Sequence, residues 1–434
     1  MEQTKVFKGG NLFDGTGADL IKDAVVVMKG SKFSAVGKNG QVKIPEGKDV
    51  EVIDTTGKTM IPGLIDSHIH LNLDGTAGSS AAFPTVQMNK MEMLVRSIPK
   101  LQNTLKMGYT SIRGGGDGWG WFEVAMRDGL ERGDIQGPRF QATGYHLTVS
   151  GGHGTFLPYH VGRHRLEEMA GMYADGADEW KKLARLNIWN RVDNLKVVAS
   201  WGFMDGIKNM HATFAQATVE ELKAAVREAH AVNKKVLSHA NGHEAVKNSI
   251  EAGVDIISHG FFLTDVKLLE AMAEKGIFWE PTNAAARNMF WAATDTFPKS
   301  FTDRHQNNLP RGPIQIGIEN WEYRLKNFKR MVSETGVKVL MGSDGGCSWI
   351  DHGLNALELE ASVDAGFSPK DALISATKLS AESLGINNEV GSVEVGKYAD
   401  LVVVEGDLLA NISLLLQEDK IKMVYKNGEL VIAR

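Results

Sequence analysis

Two histidines stand two residues apart at the end of an apolar run near the start of the chain. The stretch MIPGLIDSHIHLNL, residues 60–73, sets His68 and His70 after residues typical of a buried strand, with Asp66 just before them. Imidazole nitrogens are common metal ligands, although a single histidine at a strand end is more often a hydrogen-bonded core residue. The interpretation therefore depends on whether other strand ends supply further ligands.

Further candidate ligands do lie in later strand-like runs. They are Lys196 in NLKVVAS, His239 in KKVLSHA, His259 in VDIISHG and Asp344 in VKVLMGSD. Each of these residues alone has a structural interpretation, such as a turn cap for the aspartate. Together, four imidazoles and a carboxylate form a set that suits Zn²⁺ or a similar divalent cation. The set predicts a metal site.

Lys196 needs its own explanation, because a buried ammonium is costly. Desolvation lowers the pKa of a lysine, so that more of the side chain is the neutral amine near neutral pH. A neutral amine reacts with CO₂ to give a carbamate, an anionic ligand whose two oxygens can bridge two cations. Lys208, in the stretch DGIKNM, is the alternative, but its surroundings contain glycine and are less apolar. We therefore prefer Lys196.

The elements that must position these residues alternate between strands and helices. Eight apolar strand-like runs are separated by segments with helical patterning, as expected for βα units around a parallel sheet. The clearest helix is TVEELKAAVREAHAVN, with Thr218 as its N-cap, and another helical segment ends at Gly276. Eight units predict an α/β fold, a (β/α)₈ TIM barrel over residues 61–384, with its chemistry at the carboxyl ends of the strands.

The two ends of the chain have a different texture. Residues 1–60 and 385–434 contain short β-type runs broken by glycine turns, with a hairpin signal at Asn427-Gly428. Neither end looks able to bury a two-sided core alone, so we expect both to pair in one small composite β-sandwich domain. Residues 151–191 lack regular patterning and are expected to form long loops over the barrel mouth.

Composition narrows the class of function. The 434 residues carry a formal net charge of −5, which gives no electrostatic basis for nucleic acid or an anionic membrane as a partner. Cys347 is the single cysteine, so an internal disulfide is excluded and a reducing compartment is indicated. The first residues show no apolar signal segment. We expect a cytoplasmic enzyme, with export after removal of a leader as the alternative.

The motifs PGLIDSHIH, LKVVAS, LSHANG, IISHG and MGSDGG occur in the order and spacing of the amidohydrolase superfamily. The chain resembles that family nearly from end to end, including the β-domain split between the chain ends. The motif VSGGHGT resembles the imidazolonepropionase-like branch of the family. That branch includes metal-dependent prolidases, Xaa-Arg dipeptidases and ochratoxin-hydrolysing amidases.

The resemblance implies a binuclear metal centre, in an enzyme that is a homo-oligomer. The implied ligands are His68, His70 and Asp344 for one divalent ion, His239 and His259 for the second, and carboxylated Lys196 between them. A hydroxide that bridges the ions would attack the amide carbonyl of a small-molecule substrate. Asp344 would then act as the general acid–base.

Three departures from the family pattern bear on the reaction. Deaminases of the superfamily usually carry a glutamate three residues after the fifth-strand histidine, where this chain has Gly242. Related dipeptidases carry a tyrosine just before the helix that follows strand four, where this chain has Ala217. The SGG motif after the strand-four lysine is replaced by Ser200-Trp201-Gly202. These changes disfavour deamination and ordinary dipeptidase specificity.

Aromatic residues are frequent in the segments expected near the barrel mouth, among them Trp119, Trp121 and Trp291. Ordinary packing explains most of them, but a bulky apolar or aromatic substrate fits this composition better than a sugar. The resemblance implies that His153 contacts the substrate. A further candidate for the substrate pocket is Trp201, and candidates for holding a substrate carboxylate are Tyr145, His146, Arg113 and His352.

We therefore expect hydrolysis of an amide bond in an N-acyl amino acid or dipeptide-like substrate with a bulky or aromatic group, for which ochratoxin A is one candidate. One alternative is an Xaa-Pro or Xaa-Arg dipeptidase. Another is an imidazolonepropionase-like hydrolase of cyclic amides, or a deaminase. A non-catalytic scaffold is the last, and it is disfavoured because such relatives have typically lost metal ligands that this chain keeps.

Overall fold

The computed structural model describes residues 3–75, 89–116, 120–154, 172–202, 212–298, 315–347 and 349–434. The predictions made for Trp119 and Lys208 lie outside these residues. None of the helices in the described ranges combines the length and apolarity needed to cross a bilayer.

The strands, in chain order, are β1 (Thr4–Lys8), β2 (Asn11–Leu12), β3 (Ala24–Lys29), β4 (Lys32–Lys38), β5 (Val50–Asp54), β6 (Lys58–Pro62), β7 (Leu64–Ile69), β8 (Tyr109–Gly114), β9 (Arg139–Gln141), β10 (Leu147–Thr148), β11 (Met172–Tyr173), β12 (Asn194–Val198), β13 (Lys235–Ala240), β14 (Ile256–His259), β15 (Phe278–Glu280), β16 (Leu401–Glu405), β17 (Ile421–Lys426) and β18 (Glu429–Ala433).

The helices are α1 (Lys90–Lys106), α2 (Phe122–Arg132), α3 (Ala177–Trp189), α4 (Val219–His230), α5 (His243–Ala252), α6 (Val266–Lys275), α7 (Asn283–Thr294), α8 (Gln315–Thr335), α9 (Leu357–Asp364), α10 (Pro369–Ile374) and α11 (Ser380–Leu384). A π-helical turn, Ser375–Leu379, joins the last two.

Parallel strands form the central layer, as predicted. One parallel sheet has the order β7-β8-β9 and another has the order β11-β10-β12-β13-β14-β15. The predicted eighth strand is reduced to two isolated parallel bridges, from Val339 to Trp279 of β15 and from Gly345 to Ile69 of β7. This segment therefore connects the two sheets. Within the described residues no strand ladder joins β9 to β10, so a fully closed barrel remains a prediction.

Local signals place the helices where the sequence predicts them, with one exception. Thr218 and Glu221 form a reciprocal capping box at the start of α4, and Gly276 ends α6 in the left-handed conformation with φ of 69°. The prediction of loops throughout residues 151–191 is wrong, because α3 occupies its second half. That helix forms around a stripe of buried residues that includes Trp180 and Ala184.

The two chain ends share one antiparallel pairing. β16 pairs with β6 in a sheet of order β18-β17-β16-β6-β2, and a second sheet has the order β4-β3-β1-β5. A hydrophobic cluster contains Phe7 and Met28 from one sheet and Met60 and Val403 from the other. This pairing agrees with the expectation that the ends associate, while the domain limits at residues 60 and 385 stay predictions. Since only Gly63 separates β6 from β7, this sheet is tied directly to the first ligand-bearing strand.

Candidate metal centre

Five of the six predicted metal ligands lie near or just beyond the carboxyl ends of strands or strand bridges, and Lys196 lies in the middle of its strand. The six are His68 and His70 at β7, Lys196 on β12, His239 on β13, His259 on β14 and Asp344 in the segment that bridges to β7. Because these strands are parallel, their ends meet at one edge, which is why residues distant in sequence become neighbours.

The tightest group joins the first strand to the last segment. His68, His70 and Asp344 each offer one ligand atom, and these atoms lie within 4.8 Å of one another. His70 Nε2 is 3.3 Å from Asp344 Oδ1, and His68 Nε2 is 3.2 Å from His70 Nε2. Lys196 Nζ lies 3.2 Å from His68 Nε2. Lone-pair donors at these distances can surround one cation, since each needs to approach it to only about 2 Å.

The remaining two histidines continue the cluster from its other side. The ring centroids of His68 and His259 are 5.2 Å apart, and those of His259 and His239 are 4.6 Å apart. The structure thus brings together all the side chains predicted to ligate metal, including Lys196.

Burial keeps the imidazoles in the form that binds cations. Desolvation, followed by the charge of Lys196, lowers the pKa of His68 to about 4. Burial also lowers the pKa values of His239 and His259 well below the usual range. The pKa of Lys196 falls to about 8, again chiefly through burial. Neutral imidazoles, beside a lysine of which part is the neutral amine near neutral pH, fit a site for divalent cations.

Two glycines let the backbone pass close to these ligands. A Cβ at Gly115 would lie 2.5 Å from His68 Cδ2, and one at Gly116, whose φ is +84°, would lie 2.6 Å from the Lys196 side chain. His259 and Asp344 themselves have left-handed backbone conformations, with φ of 73° and 60°. Such conformations in non-glycine residues are typical of functional sites.

His68, His239 and His259 each have a polar partner on one ring nitrogen, and these partners were not apparent in the sequence. His68 Nδ1 donates to Glu280 Oε2 over 3.1 Å, and His259 Nδ1 lies 3.0 Å from Thr282 Oγ1. Asn241 Nδ2 donates to His239 Nε2 over 3.0 Å. Such contacts fix ring orientation and tautomer. The only local signal is that these partners also lie at or near strand ends.

A buried carboxylate ties the first strand to the Asp344 segment. Asp66 is fully buried and accepts hydrogen bonds from the backbone nitrogens of His68 and Ser343, at 3.1 and 3.0 Å. It also accepts one from Asn355 Nδ2 at 2.6 Å and one from the Ser343 hydroxyl. These bonds hold two chain segments that carry ligands in one register.

His153 is the substrate-binding candidate that lies against the cluster. Its ring stacks on that of His239 with centroids 4.2 Å apart, and Gly202 leaves the space that its ring occupies. Gln216 Oε1 accepts a hydrogen bond from the His153 backbone nitrogen at 2.9 Å. Trp201 directly precedes Gly202 in the chain, and its backbone nitrogen donates a hydrogen bond to Phe214 O.

The other candidates are less suited to binding a substrate carboxylate. Tyr145 packs edge-on against Trp121 and its hydroxyl accepts a hydrogen bond from Lys90. His146 is buried against Gly154. Arg113 is fully buried beneath the cluster, and His352 Nε2 donates to Leu73 O. For the last two, these contacts favour structural roles.

Comparison with known proteins agrees with this geometry. The sequence matches the amidohydrolase family over residues 59–431. Ochratoxinase from Aspergillus niger is 27% identical over 98% of this chain and 86% of the relative. Imidazolonepropionase from Symbiobacterium thermophilum is 23% identical over 95% of this chain and 92% of the relative. A solved Xaa-Pro dipeptidase with bound methionine superposes with a TM-score of 0.80, at 26% identity, over 99% of both chains.

Proposed function

The chain belongs to the amidohydrolase family, and from this we propose that it is a binuclear, metal-dependent hydrolase of amide bonds. The observation that carries the proposal is the cluster of His68, His70 and Asp344, with ligand atoms within 4.8 Å of one another, beside Lys196. Amide hydrolysis without a metal uses an activated serine, cysteine or threonine, or a pair of carboxyl groups that activates water, whereas this cluster is rich in imidazole ligands.

In the proposed centre the two ions are divalent, with Zn²⁺ the best match to an imidazole-rich set. His68, His70 and Asp344 would hold one ion and His239 and His259 the other, with Lys196 between them. When bound, such ions lower the pKa of a water molecule toward neutrality and polarise the scissile carbonyl.

Lys196 would contribute to this centre as a carbamate. A pKa of about 8, lowered by burial, leaves part of the side chain as the neutral amine near neutral pH. The amine nitrogen forms a bond to the carbon of CO₂, one C=O π bond opens and leaves its electron pair on oxygen, and the nitrogen releases one proton to water, which leaves an anionic carbamate. Compared with the protonated lysine, the carbamate has a negative charge beside His68 where the ammonium had a positive one. A negative charge there favours the binding of metal cations.

Asp344 would move the proton of the reaction. Its carboxylate lies 3.3 Å from His70 Nε2 and is mostly buried. Burial alone would raise its pKa, but the hydrogen bond with His70 opposes burial, and the net shift of the pKa is downward. An ionised carboxylate at this place can accept a proton from the attacking water and pass it to the leaving nitrogen.

The surroundings of Gly242 argue against the deaminase alternative. A Cβ at this position would lie 2.0 Å from the carbonyl oxygen of Thr213 and 2.6 Å from its carbonyl carbon. Because the obstruction is backbone, it cannot rotate away as a side chain would. The glutamate that deaminases carry here therefore has no room in this chain.

The substrate proposed is an N-acyl amino acid or dipeptide-like amide with a bulky or aromatic group. The half-buried ring of His153, stacked on His239, and the buried ring of Phe261, stacked on His259 at 5.5 Å, support aromatic surroundings for the cluster. Ochratoxin A, whose amide joins an aromatic acyl group to phenylalanine, is one candidate, in keeping with the similarity to ochratoxinase.

An Xaa-Pro dipeptidase is the second candidate, favoured by the similarity to a solved enzyme of that name. Against it stands Ala217, which is buried directly before the N-cap of α4, where related dipeptidases carry tyrosine. Without a phenol at this point the chain lacks one donor for the substrate carbonyl.

A substrate panel tests these proposals. Purified protein, stripped of metal and then loaded with Zn²⁺, should hydrolyse ochratoxin A or N-acyl-phenylalanines faster than Xaa-Pro and Xaa-Arg dipeptides. Preference for the dipeptides would overturn the aromatic substrate but keep the reaction class. Turnover of cyclic amides alone would overturn the proposed amide substrate, and identical behaviour of stripped and loaded protein would overturn metal dependence.

A further inference from the structure

A carboxylate lies beneath the candidate metal centre without being one of the proposed ligands. Glu280, the last residue of β15, is fully buried. Its Oε2 atom accepts hydrogen bonds from His68 Nδ1 at 3.1 Å and from Ser258 Oγ at 2.8 Å. This contact directs the other nitrogen of the same ring, Nε2, toward His70 and Lys196.

The second oxygen of Glu280 is committed to a different partner. Arg113 Nη2 donates to Glu280 Oε1 over 2.6 Å, and the guanidinium is also fully buried. Its Nε donates to Ser67 O at 3.0 Å and its Nη1 to Ser383 Oγ at 3.1 Å. The arginine compensates the buried charge of the carboxylate, which would otherwise be expensive to hold away from water.

We propose that Glu280 is a positioning residue for His68, and that Arg113 holds the Glu280 carboxylate in place. An anionic acceptor on Nδ1 fixes the tautomer whose lone pair is on Nε2 and makes that lone pair more basic, which strengthens its bond to a cation. A purely structural ion pair would not need to end on a ligand ring. The inference rests on the proposed metal centre and adds residues that the ligand set does not contain.

The assignment of one oxygen to each partner permits a sharp test. Glutamine at position 280 has a single acceptor oxygen, so Glu280→Gln cannot satisfy both His68 and Arg113. In the double variant Glu280→Gln/Arg113→Met the amide oxygen is no longer drawn to Arg113 and can accept from His68, with the Ser258 hydroxyl as its other donor. The double variant therefore restores ring orientation without the negative charge.

The measurement is the rate at which a coloured chelator removes Zn²⁺ from each loaded protein, together with the metal content before the chase. Glu280→Gln should weaken metal retention by about 10- to 100-fold, the usual size of such effects. The double variant should recover part of that loss. Circular dichroism and thermal melting of the same samples report whether the fold is kept.

Asp400→Asn is the matched control, since Asp400 is a buried carboxylate paired with an arginine, Arg139, in the region of the chain-end sheet. It should lower the melting temperature but leave the rate of metal release unchanged. Equal metal release from Glu280→Gln and wild type, within twofold, would overturn the inference. So would equal acceleration by Asp400→Asn. A wild-type protein that binds no metal would instead overturn the proposed function, and this inference with it.

Discussion

The two halves of the candidate centre have different surroundings. The first half, His68, His70 and Asp344, rests on buried carboxylates, with Glu280 bonded to one ring and Asp66 bonded to the backbone of both segments. The second half, His239 and His259, is flanked by rings, with His153 stacked at 4.2 Å and Phe261 at 5.5 Å.

This difference suggests that the two halves have different functions. Fixed negative charge close to ligands favours cations and resists movement of the rings. Aromatic faces favour apolar groups and tolerate variation in what they contact. We therefore expect changes in the first half to alter metal binding and the rate of chemistry. Changes around the second half should alter which substrate binds. The predictions below test that difference in function, beginning with the largest effect.

Lys196→Ala should abolish activity, because Lys196 joins the two halves. Its Nζ atom is 3.2 Å from His68 Nε2 on one side, and its strand pairs with the strand of His239 on the other. Loss of the bridge should lower the metal content, while the fold survives since a costly buried amine is removed. Activity assays, metal analysis and circular dichroism check this.

Lys235→Ala is the matched control for this variant. Lys235 lies on the neighbouring strand, and its amine bonds to the carbonyl oxygens of Glu382 and Ser383 instead of the cluster. It should keep metals and activity. If Lys196→Ala retained both as well, Lys196 would not be the bridge and Lys208 would be the next residue to replace.

Asp344→Asn should lower kcat by about 10²- to 10⁴-fold, the usual contribution of a general acid–base group. Asparagine keeps an oxygen that can ligate a cation, so metal content should fall much less than the rate. Steady-state kinetics with parallel metal analysis separate the two quantities. A kcat within tenfold of wild type, at full metal content, would show that Asp344 does not carry the proton.

The candidate ligands of both halves could be predicted from sequence, but the carboxylates that support the first half could not. The HxH motif at residues 68–70 is local, and the family order of motifs led to the distant ligands. Glu280 could not be predicted, because it reads as an ordinary residue in FWEPT and its partner Arg113 lies 167 positions away. Likewise, Asp66 meets Ser343 across 277 positions. Contacts over such separations depend on the register of strands, which the residue pattern does not specify.

The fold shows the same limit. Strand and helix periodicity predicted most of the βα units, and Thr218 and Gly276 marked helix ends correctly. The eighth strand has the apolar pattern of its neighbours, but only two isolated bridges form there, and Asp344 in this segment has a left-handed backbone conformation. The obstruction at Gly242 by the Thr213 backbone was equally invisible in sequence.

Metal-free protein should lose stability as the pH falls from about 6.5 to about 4. The pKa of His68 is near 6.5 when unfolded and about 4 when folded, chiefly through burial. In that window the unfolded chain binds a proton that the folded chain does not, so the free energy of unfolding decreases with decreasing pH. This imidazole alone contributes at most about 3 kcal/mol.

Urea denaturation at a series of pH values, in the presence of a chelator, measures that dependence. His68→Asn should flatten it by removing one of the buried imidazoles. His352→Asn provides a comparison away from the cluster, since burial also lowers the pKa of His352 to about 4. If His68→Asn left the pH dependence unchanged, the ring would not be held neutral in the folded protein.

The smallest effect is expected at the aromatic side of the second half. His153→Ala removes a half-buried ring that stacks on His239, and should raise KM for an aromatic amide by about 10-fold, as loss of one apolar contact does. Because the ring is not a proposed ligand, metal content and kcat should change little, the pattern expected when binding is lost equally from substrate and transition state. His153→Phe, which keeps a stacked face, should retain most of the affinity. A fall in kcat and metal content with KM unchanged would place His153 functionally in the metal half, and the proposed division between the two halves would then be wrong.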